Sequence, residues 1–385
     1  MSAENENNRS TYDVAIAGGG LAGLVTAILL VKQGFRIILF EKKSYPFHKV
    51  CGEYVSNEVL TLLCSLGLDP FEHGASSITR LRISDPSGKN IHAALDLGGF
   101  GLSRYVLDKQ LAEIAKSHGV DVRENCRVHD IAFQDNSFRI LTGTGIYCAT
   151  LALGAYGKRT LLDKKLKRKF IEKHTGFLGV KYHVKVDYPI DEIGLDNFPG
   201  GYCGIVKIED DLYNLCYLYN RKRRNAYNSI AEIEKKVLFT NPIIRDLFGR
   251  AKFSGEEPEV INEIPFQSKP AVEDHLLLCG DAAGLITPLC GNGMAMAIHG
   301  GKILSDHVTA HLNPGTEISS ESRSNLENEY ARRWRSEFSS RLFWGRRLQE
   351  ITGNSLVTSA GLRIIHAIPQ LEKWLIRKTH GEVIK

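Results

Sequence analysis

The stretch Asp13-Val-Ala-Ile-Ala-Gly18-Gly19-Gly20-Leu-Ala22-Gly23-Leu-Val-Thr-Ala27 leaves this chain few folds to choose from. Val14 to Ala17 is a short apolar run of the kind that makes a buried parallel strand. Gly18, Gly20 and Gly23 fit Gly-x-Gly-x-x-Gly, with Ala22 beside the last of them, and the following helix is expected to end near Lys32. The first glycine allows a tight turn, the second lets backbone approach a pyrophosphate, and the third lets helix pack on strand. Unpaired N–H groups and the positive dipole end of the helix then hold the pyrophosphate. Arg36 to Phe40 reads as a second strand, and Glu41 at its end can accept both ribose hydroxyls of an adenosine. A glycine turn alone says little. With strand, helix, second strand and acid in register, it marks a dinucleotide site.

Beyond Glu41 a turn-rich loop, Lys42 to Ser56, leads into an apolar helix over Val59–Leu68. Ile78–Ser84 and Asn90–Leu95 read as a hairpin closed by Asp85-Pro-Ser-Gly88, and Ser103 can cap a helix that starts at Arg104. Arg127–Phe133, Phe138–Leu141 and Ile146–Leu153 follow as three strands of a β-meander. Phe177–Val186, Gly201–Ile208 and Leu212–Tyr219 read as an antiparallel sheet inserted as a second lobe, followed by helices at Ile230–Phe239 and Pro242–Phe248. Leu276–Cys279 is another buried strand, running into Gly280-Asp281 and a glycine-rich turn that enters a helix at Gly291-Asn292-Gly293. No second Gly-x-Gly-x-x-Gly occurs, so a nicotinamide cofactor has no nucleotide domain of its own.

A net charge of +5 over 385 residues is too mild to argue for nucleic acid, and no basic run is interleaved with aromatics. The excess sits in the tail, where from Glu321 onward twelve Lys/Arg face seven Glu. The eight cysteines are scattered, with no Cys-x-x-Cys and no zinc spacing, which suits reduced thiols, a cytoplasmic setting and no metal. Val14–Val31 is uncharged for eighteen residues, but three consecutive glycines make a poor membrane helix. Met1–Ser10 is polar and reads as disordered. In the C-terminal region Leu326, Tyr330, Trp334, Phe338 and Leu342 recur every four residues, and a second amphipathic run spans Leu362–Leu375 with a break at Pro369. These segments, with Trp344 and Trp374, either pack on the first lobe or touch a membrane surface.

The fingerprint with Glu41, the Arg104 helix, the Gly154 strand end and Gly280-Asp281 together resemble an FAD-dependent group. That group includes aromatic hydroxylases, geranylgeranyl reductases and flavin-dependent halogenases. The resemblance implies an α/β Rossmann-like FAD-binding domain with β-meander, an inserted antiparallel-sheet (α+β) substrate lobe and a helical C-terminus. The expected boundaries are 11–77, 103–165 and 256–312 for the FAD domain, 78–102 and 166–255 for the substrate lobe, and 313–385 for the helices. It implies FAD held by Gly18, Gly20, Ala22, Gly23, Glu41, Lys49, Arg104, Val128, Asp281, Gly291, Asn292 and Gly293. Asp281 would meet the ribityl chain and Lys49 the phosphates or ribityl oxygens, while the helix start at Gly291–Gly293 would face the carbonyl edge of the flavin.

Lys49-Val-Cys51-Gly52-Glu53 resembles the Lys-Pro-Cys-Gly-Gly loop of geranylgeranyl reductases, whose cysteine faces the substrate. Cys51 is thus a candidate for the reactive face, with inert packing as the alternative. Glu53 is a candidate proton donor if burial raises its pKa, with a cap on the next helix as the alternative. His48 reads as a loop hydrogen-bonder and His299 as structural. Tyr202, Cys203 and Tyr217, with Tyr219, are candidates for lining the substrate cavity, or ordinary core.

Departures from the group bear on the reaction. Tyr156 stands where hydroxylases have an Asp, which leaves the NAD(P)H donor open. Tyr202 is kept from the reductase Tyr-x-Trp-x-Phe-Pro motif without its other residues, and the halogenase Trp-x-Trp-x-Ile-Pro motif is absent. The expected activity is monooxygenation of an aromatic or phenolic lipid by an FAD enzyme with NAD(P)H as donor. The alternatives are reduction of an isolated double bond and a non-catalytic or electron-carrying flavoprotein.

Overall fold

The computed structural model describes residues 11–172, 174–223, 227, 229–255, 257–285, 287, 291–352, 361 and 381–384. The expected tail Met1–Ser10 and the run Leu362–Leu375, with Trp374, lie outside them. The chain opens with β1 (Thr11–Ala17), α1 (Leu21–Val31), β2 (Ile37–Phe40), β3 (Tyr54–Ser56), α2 (Leu60–Leu66), β4 (Ser76–Ser84), β5 (Asn90–Gly101) and α3 (Arg104–Ser117). Then come β6 (Asp121–Arg123), β7 (Val128–Gln134), β8 (Ser137–Thr142), β9 (Gly145–Gly154), α4 (Leu161–Lys165), β10 (Phe177–Lys185), β11 (Glu192–Phe198), β12 (Gly201–Lys207) and β13 (Tyr213–Asn220). It continues through α5 (Ile230–Lys236), α6 (Pro242–Arg250), β14 (Lys252–Phe253), β15 (Glu259–Asn262), β16 (Val272–Glu273), β17 (Leu276–Leu278), α7 (Gly293–His311) and α8 (Ser320–Thr352).

The first sheet has the order β16-β17-β9-β1-β2-β6, with β7 and β8 attached to β9 as the meander. β1 lies parallel between β2 (Ala17 opposite Phe40) and β9 (Ala17 opposite Gly154), and β17 adds in parallel beyond β9. Ala17, Phe40, Gly154 and Leu278 therefore end side by side, which is where open parallel sheets bind ligands. α1 carries no charged residue because it is covered on both sides, by the sheet and by α7. The two helices approach closely at Gly301, where a Cβ would press on Ala22 O and Thr26 Oγ1 at 3.0 Å.

The second sheet runs β14-β10-β13-β12-β11-β4-β5-β3, with β15 also on β10. β3 and β15 come from segments expected in the FAD domain. β4 and β11 pair in parallel, Arg80 opposite Glu192 through Ser84 opposite Asp196. One face packs under α5 and α6, where Val180, Ile205, Leu215 and Tyr219 meet Ile233, Val237, Ile244 and Leu247. The other face turns toward the ligand end of the first sheet.

The stripe Leu326, Tyr330, Trp334, Phe338 and Leu342 on α8 is buried, and the Tyr330 hydroxyl donates to Leu278 O at 2.6 Å. In the described residues this stripe is turned inward onto the first sheet and α7. No helix of the described residues is long and apolar enough to cross a membrane. The seven described cysteines are free thiols.

Candidate active site

The phosphate end is built by the glycine turn. Gly18 has φ 113°, and a Cβ there would strike Ala155 O; one at Gly23 would strike Gly18 O. Gly20, the N-cap of α1, is different: a Cβ there would meet only Arg104 Nη2 and Lys49 Nζ, each at 3.8 Å. Two cations therefore converge on a helix N-terminus across open space, a cradle that fits a dianionic pyrophosphate. Glu41 accepts from Gly19 N and Lys43 N at 3.1 Å each, which fixes its carboxylate at the end of β2. Tyr45 donates to Gly19 O at 2.5 Å from the loop beyond. Cys126 N donates to Glu41 O at 2.8 Å, which brings the segment leading to Val128 alongside.

Both cations are held by a residue not singled out in the sequence, Asp108. Arg104 meets it twice, Nε to Oδ1 at 2.7 Å and Nη2 to Oδ2 at 2.8 Å, and Lys49 Nζ reaches Oδ2 at 2.8 Å. Asp108 is buried, which alone would raise its pKa, but Arg104 and Lys49 outweigh that and hold it below the usual range. Lys49 is lowered by burial, an effect that Asp108 only partly offsets. The available signal was Asp108 standing four residues after Arg104 on one helix face.

Arg104 is also the meeting point of the remaining segments. Burial would lower its pKa; Asp108 more than reverses that, and Cys51 and Asp281 add to the upward pull. Gly280 (φ 60°) sets the Asp281 turn against α1, since a Cβ there would touch Ala22 Cβ at 3.0 Å. Lys269 Nζ donates to Asp281 O at 2.9 Å and to Lys158 O at 2.8 Å. A Cβ at Gly291 (φ 64°) would lie 3.2 Å from the Tyr54 ring, and Asn292, the N-cap residue of α7, turns its side chain to buried Glu58. The turn and helix start that the resemblance assigned to the flavin are thus next to Ala22 and Tyr54.

Glu53 departs from expectation. It is fully buried, yet its pKa lies below the usual carboxylate range. Burial pulls upward, but the Lys181 charge and His183, through both hydrogen bond and charge, pull harder downward. Lys181 Nζ sits 2.5 Å from Oε1 and His183 Nε2 2.6 Å from Oε2. A carboxylate held ionised in this way does not serve as a proton donor. Nor does it cap the next helix, a job done by Ser56; it accepts instead from the backbone N–H of Arg104 at 2.9 Å. His48 stacks on Tyr105 at 4.7 Å and stands edge-on to His183 at 5.1 Å. Burial first, then Lys181 and His183, lower its pKa. His299 packs edge-on against Phe338 at 5.3 Å.

The candidate substrate residues divide between the two faces of the second sheet. Tyr202 is on the inner face with Leu218, Ile264 and Leu285, flanked by Phe177, Leu195, Ile261 and Phe266. Cys203 and Tyr217, which pair with each other across β12 and β13, are on the opposite face beneath α5 and α6, with Tyr219. The Tyr217 hydroxyl donates to Glu234 at 3.1 Å. Period-2 alternation makes this unavoidable: neighbours 202 and 203 cannot both face inward. The inner face carries instead Lys181, His183 and Asn214, whose Nδ2 donates to Cys51 O at 3.2 Å and Gly52 O at 2.9 Å. A lysine and a histidine inside the otherwise apolar run Phe177–Val184 were the signal for that.

Residues 11–317 match the family model described as "FAD binding domain". The digeranylgeranylglycerophospholipid reductase of Methanosarcina acetivorans is 27% identical over 85% of this chain and 81% of its own length. Conditioned medium factor receptor 1 of Dictyostelium discoideum is 25% identical over 78% of this chain; the match spans 63% of that longer protein. Among solved structures, the flavin-dependent brominase Bmp2 superposes with a TM-score of 0.75 at 18% identity, covering 96% of this chain and 93% of the other.

Proposed function

Because this chain belongs to the FAD-binding-domain family and is an FAD-dependent oxidoreductase, we propose that it hydroxylates a hydrophobic small molecule, an aromatic or phenolic lipid. The observation that carries this reading is the inner face of the second sheet. There Tyr202, Leu218, Ile264 and Leu285 are buried together with Phe177 and Phe266 packed against them. We take this apolar, aromatic patch, on the face that also carries Lys181 and His183 with Glu53, as the wall of the substrate site. An apolar ring with one polar substituent suits such a wall.

FAD, when bound, supplies two-electron storage and the activation of O2. The residues of this chain bind and orient it. Arg104 and Lys49, with one of their two charges already balanced by Asp108, would face the pyrophosphate, Glu41 would hold the ribose end, and the N-terminus of α7 would favour negative charge on the flavin ring. This apolar patch would exclude water from the substrate and orient it. Overall, one oxygen atom would enter the substrate and the other leave as water, with two electrons and one proton supplied as hydride by NAD(P)H and the second proton by solvent. The test supplies purified protein with NADH or NADPH, a long-chain phenol and 18O2. Expected are substrate-dependent oxygen uptake and one labelled oxygen in the product; unlabelled product, or none, refutes hydroxylation.

A second reading, hydride delivery to an isolated double bond, is favoured by the Cys51 loop and the likeness to the Methanosarcina reductase. Its signature is a gain of two hydrogens by a polyprenyl substrate under anaerobic conditions.

A further inference from the structure

Glu53 combines zero exposure, a negative charge and a left-handed backbone (φ 54°), an arrangement that persists only where its surroundings over-determine it. Those surroundings come from three directions. Lys181 and His183 on β10 grip its carboxylate from the second sheet. The N-terminus of α3 donates Arg104 N to its side chain, and Leu102 N donates to its backbone carbonyl at 3.1 Å. From within the loop, Lys49 O accepts from Lys181 Nζ at 3.2 Å, while Asn214 on β13 holds Cys51 O and Gly52 O.

We propose that Glu53 is the positioning residue of the reactive loop. It clamps Lys49–Gly52, and with it the half-buried Cys51 thiol, against the substrate sheet, and ties that clamp to the backbone of the residue whose guanidinium faces the pyrophosphate cradle. The cluster makes one continuous chain of contacts: cradle, Arg104, Glu53, Lys181, substrate wall. Asn214 is its second, uncharged fastening. The inference rests on the reading above only in taking the Cys51 side as the reactive face.

The test compares the parent holoprotein with Glu53→Gln and Asn214→Leu. Iodoacetamide labelling is followed cysteine by cysteine by peptide mass spectrometry, together with FAD content, kcat and KM. Cys64 (exposed) and Cys148 (half-buried) are the internal references. Labelling of Cys51 is expected to accelerate at least about tenfold in Glu53→Gln, and in the same direction in Asn214→Leu. The reference cysteines and FAD content should stay within about twofold, and kcat should fall more than KM rises. Unchanged Cys51 labelling in both variants overturns the proposal, as does equal acceleration at all three cysteines, which signals general loosening. If Glu53→Gln does not fold, His183→Gln, which loosens one grip on the same carboxylate, takes its place with the same expected and refuting outcomes. Labelling needs no substrate. Accelerated labelling in a protein that turns over neither phenolic nor prenyl compounds therefore leaves the clamp standing and removes the functional reading.

Discussion

Asp108→Asn separates two roles that the structure gives one buried carboxylate. Asp108 has a side-chain exposure of 1%, and its partners Arg104 and Lys49 are at 12% and 26%. Removing its charge leaves two cations facing each other without their shared, hydrogen-bonded counter-ion. Breaking a buried pair by deleting one partner costs about 3–5 kcal/mol, and an asparagine that keeps the shape and one acceptor should fall near about 3. For 385 residues unfolding together, an unfolding entropy of about 0.8 kcal/mol/K turns that into a melting point lower by about 4 °C. FAD should then do more for the variant than for the parent, because its pyrophosphate replaces the missing negative charge between the same two cations. The assay is thermal melting of FAD-free protein with increasing FAD, parent against Asp108→Asn. The expected result is a lower melting point without FAD and a larger rise with it. A variant that melts within about 1 °C of the parent without FAD, or gains less from FAD, refutes the cradle as described.

Gly23→Ala places a methyl against Gly18 O, so FAD content, read as the ratio of flavin to protein absorbance, should fall by at least about half, with a stability loss of about 2 kcal/mol. Tyr217→Phe removes a hydroxyl from the far face of the second sheet, so KM for the substrate should stay within about twofold of the parent; a larger change would put Tyr217 back in the cavity. His299 is held down to about 4 by burial, which Glu337 only partly offsets. The unfolded chain, titrating near 6.5, binds that proton first, so stability falls as pH drops from about 6.5 toward 4. His299→Phe should remove on the order of 2 kcal/mol of that fall, measured as urea midpoints against pH; parallel curves for parent and variant would contradict it.

The cofactor side was legible because its constraints are local. A turn that needs φ above zero at Gly18 must be written as glycine, and a helix that packs at van der Waals distance on its strand must be written as Gly23. The meander and the hairpin Ile78–Leu95 were legible through alternation and turn residues for the same reason. What stayed hidden depends on partners far away in sequence. β11 was missed because its buried Glu192 and Asp196 break the apolar pattern, and their reasons, Tyr188 and His92 for one and Arg82 and Ser84 for the other, include residues about a hundred positions earlier. β6, Asp-Val-Arg, is a strand only because β2 offers it an edge. Glu53 was misread because burial and counter-charges pull a carboxylate in opposite directions, and no sequence window contains Lys181 and Glu53 together. Cys203 and Tyr217 were named with Tyr202 as one wall, although the strand period assigns the neighbours 202 and 203 to opposite faces.

The parallel pairing of β4 with β11 also governs how this chain can be made. As synthesis proceeds, β4 and β5 emerge early and wait about a hundred residues for the strand that covers their edge. The cofactor sheet waits longer still, because β17 seats beside β9 only after the whole second sheet has been synthesised. Neither sheet can close before the other is nearly complete, so contacts of high sequence separation should dominate the rate-limiting step of folding. Fragments cut at 165 or 255 would each carry an open strand edge, the kind of surface that recruits other chains. Expression of such halves should give aggregates rather than folded domains, while a chain reaching past α8 stays intact.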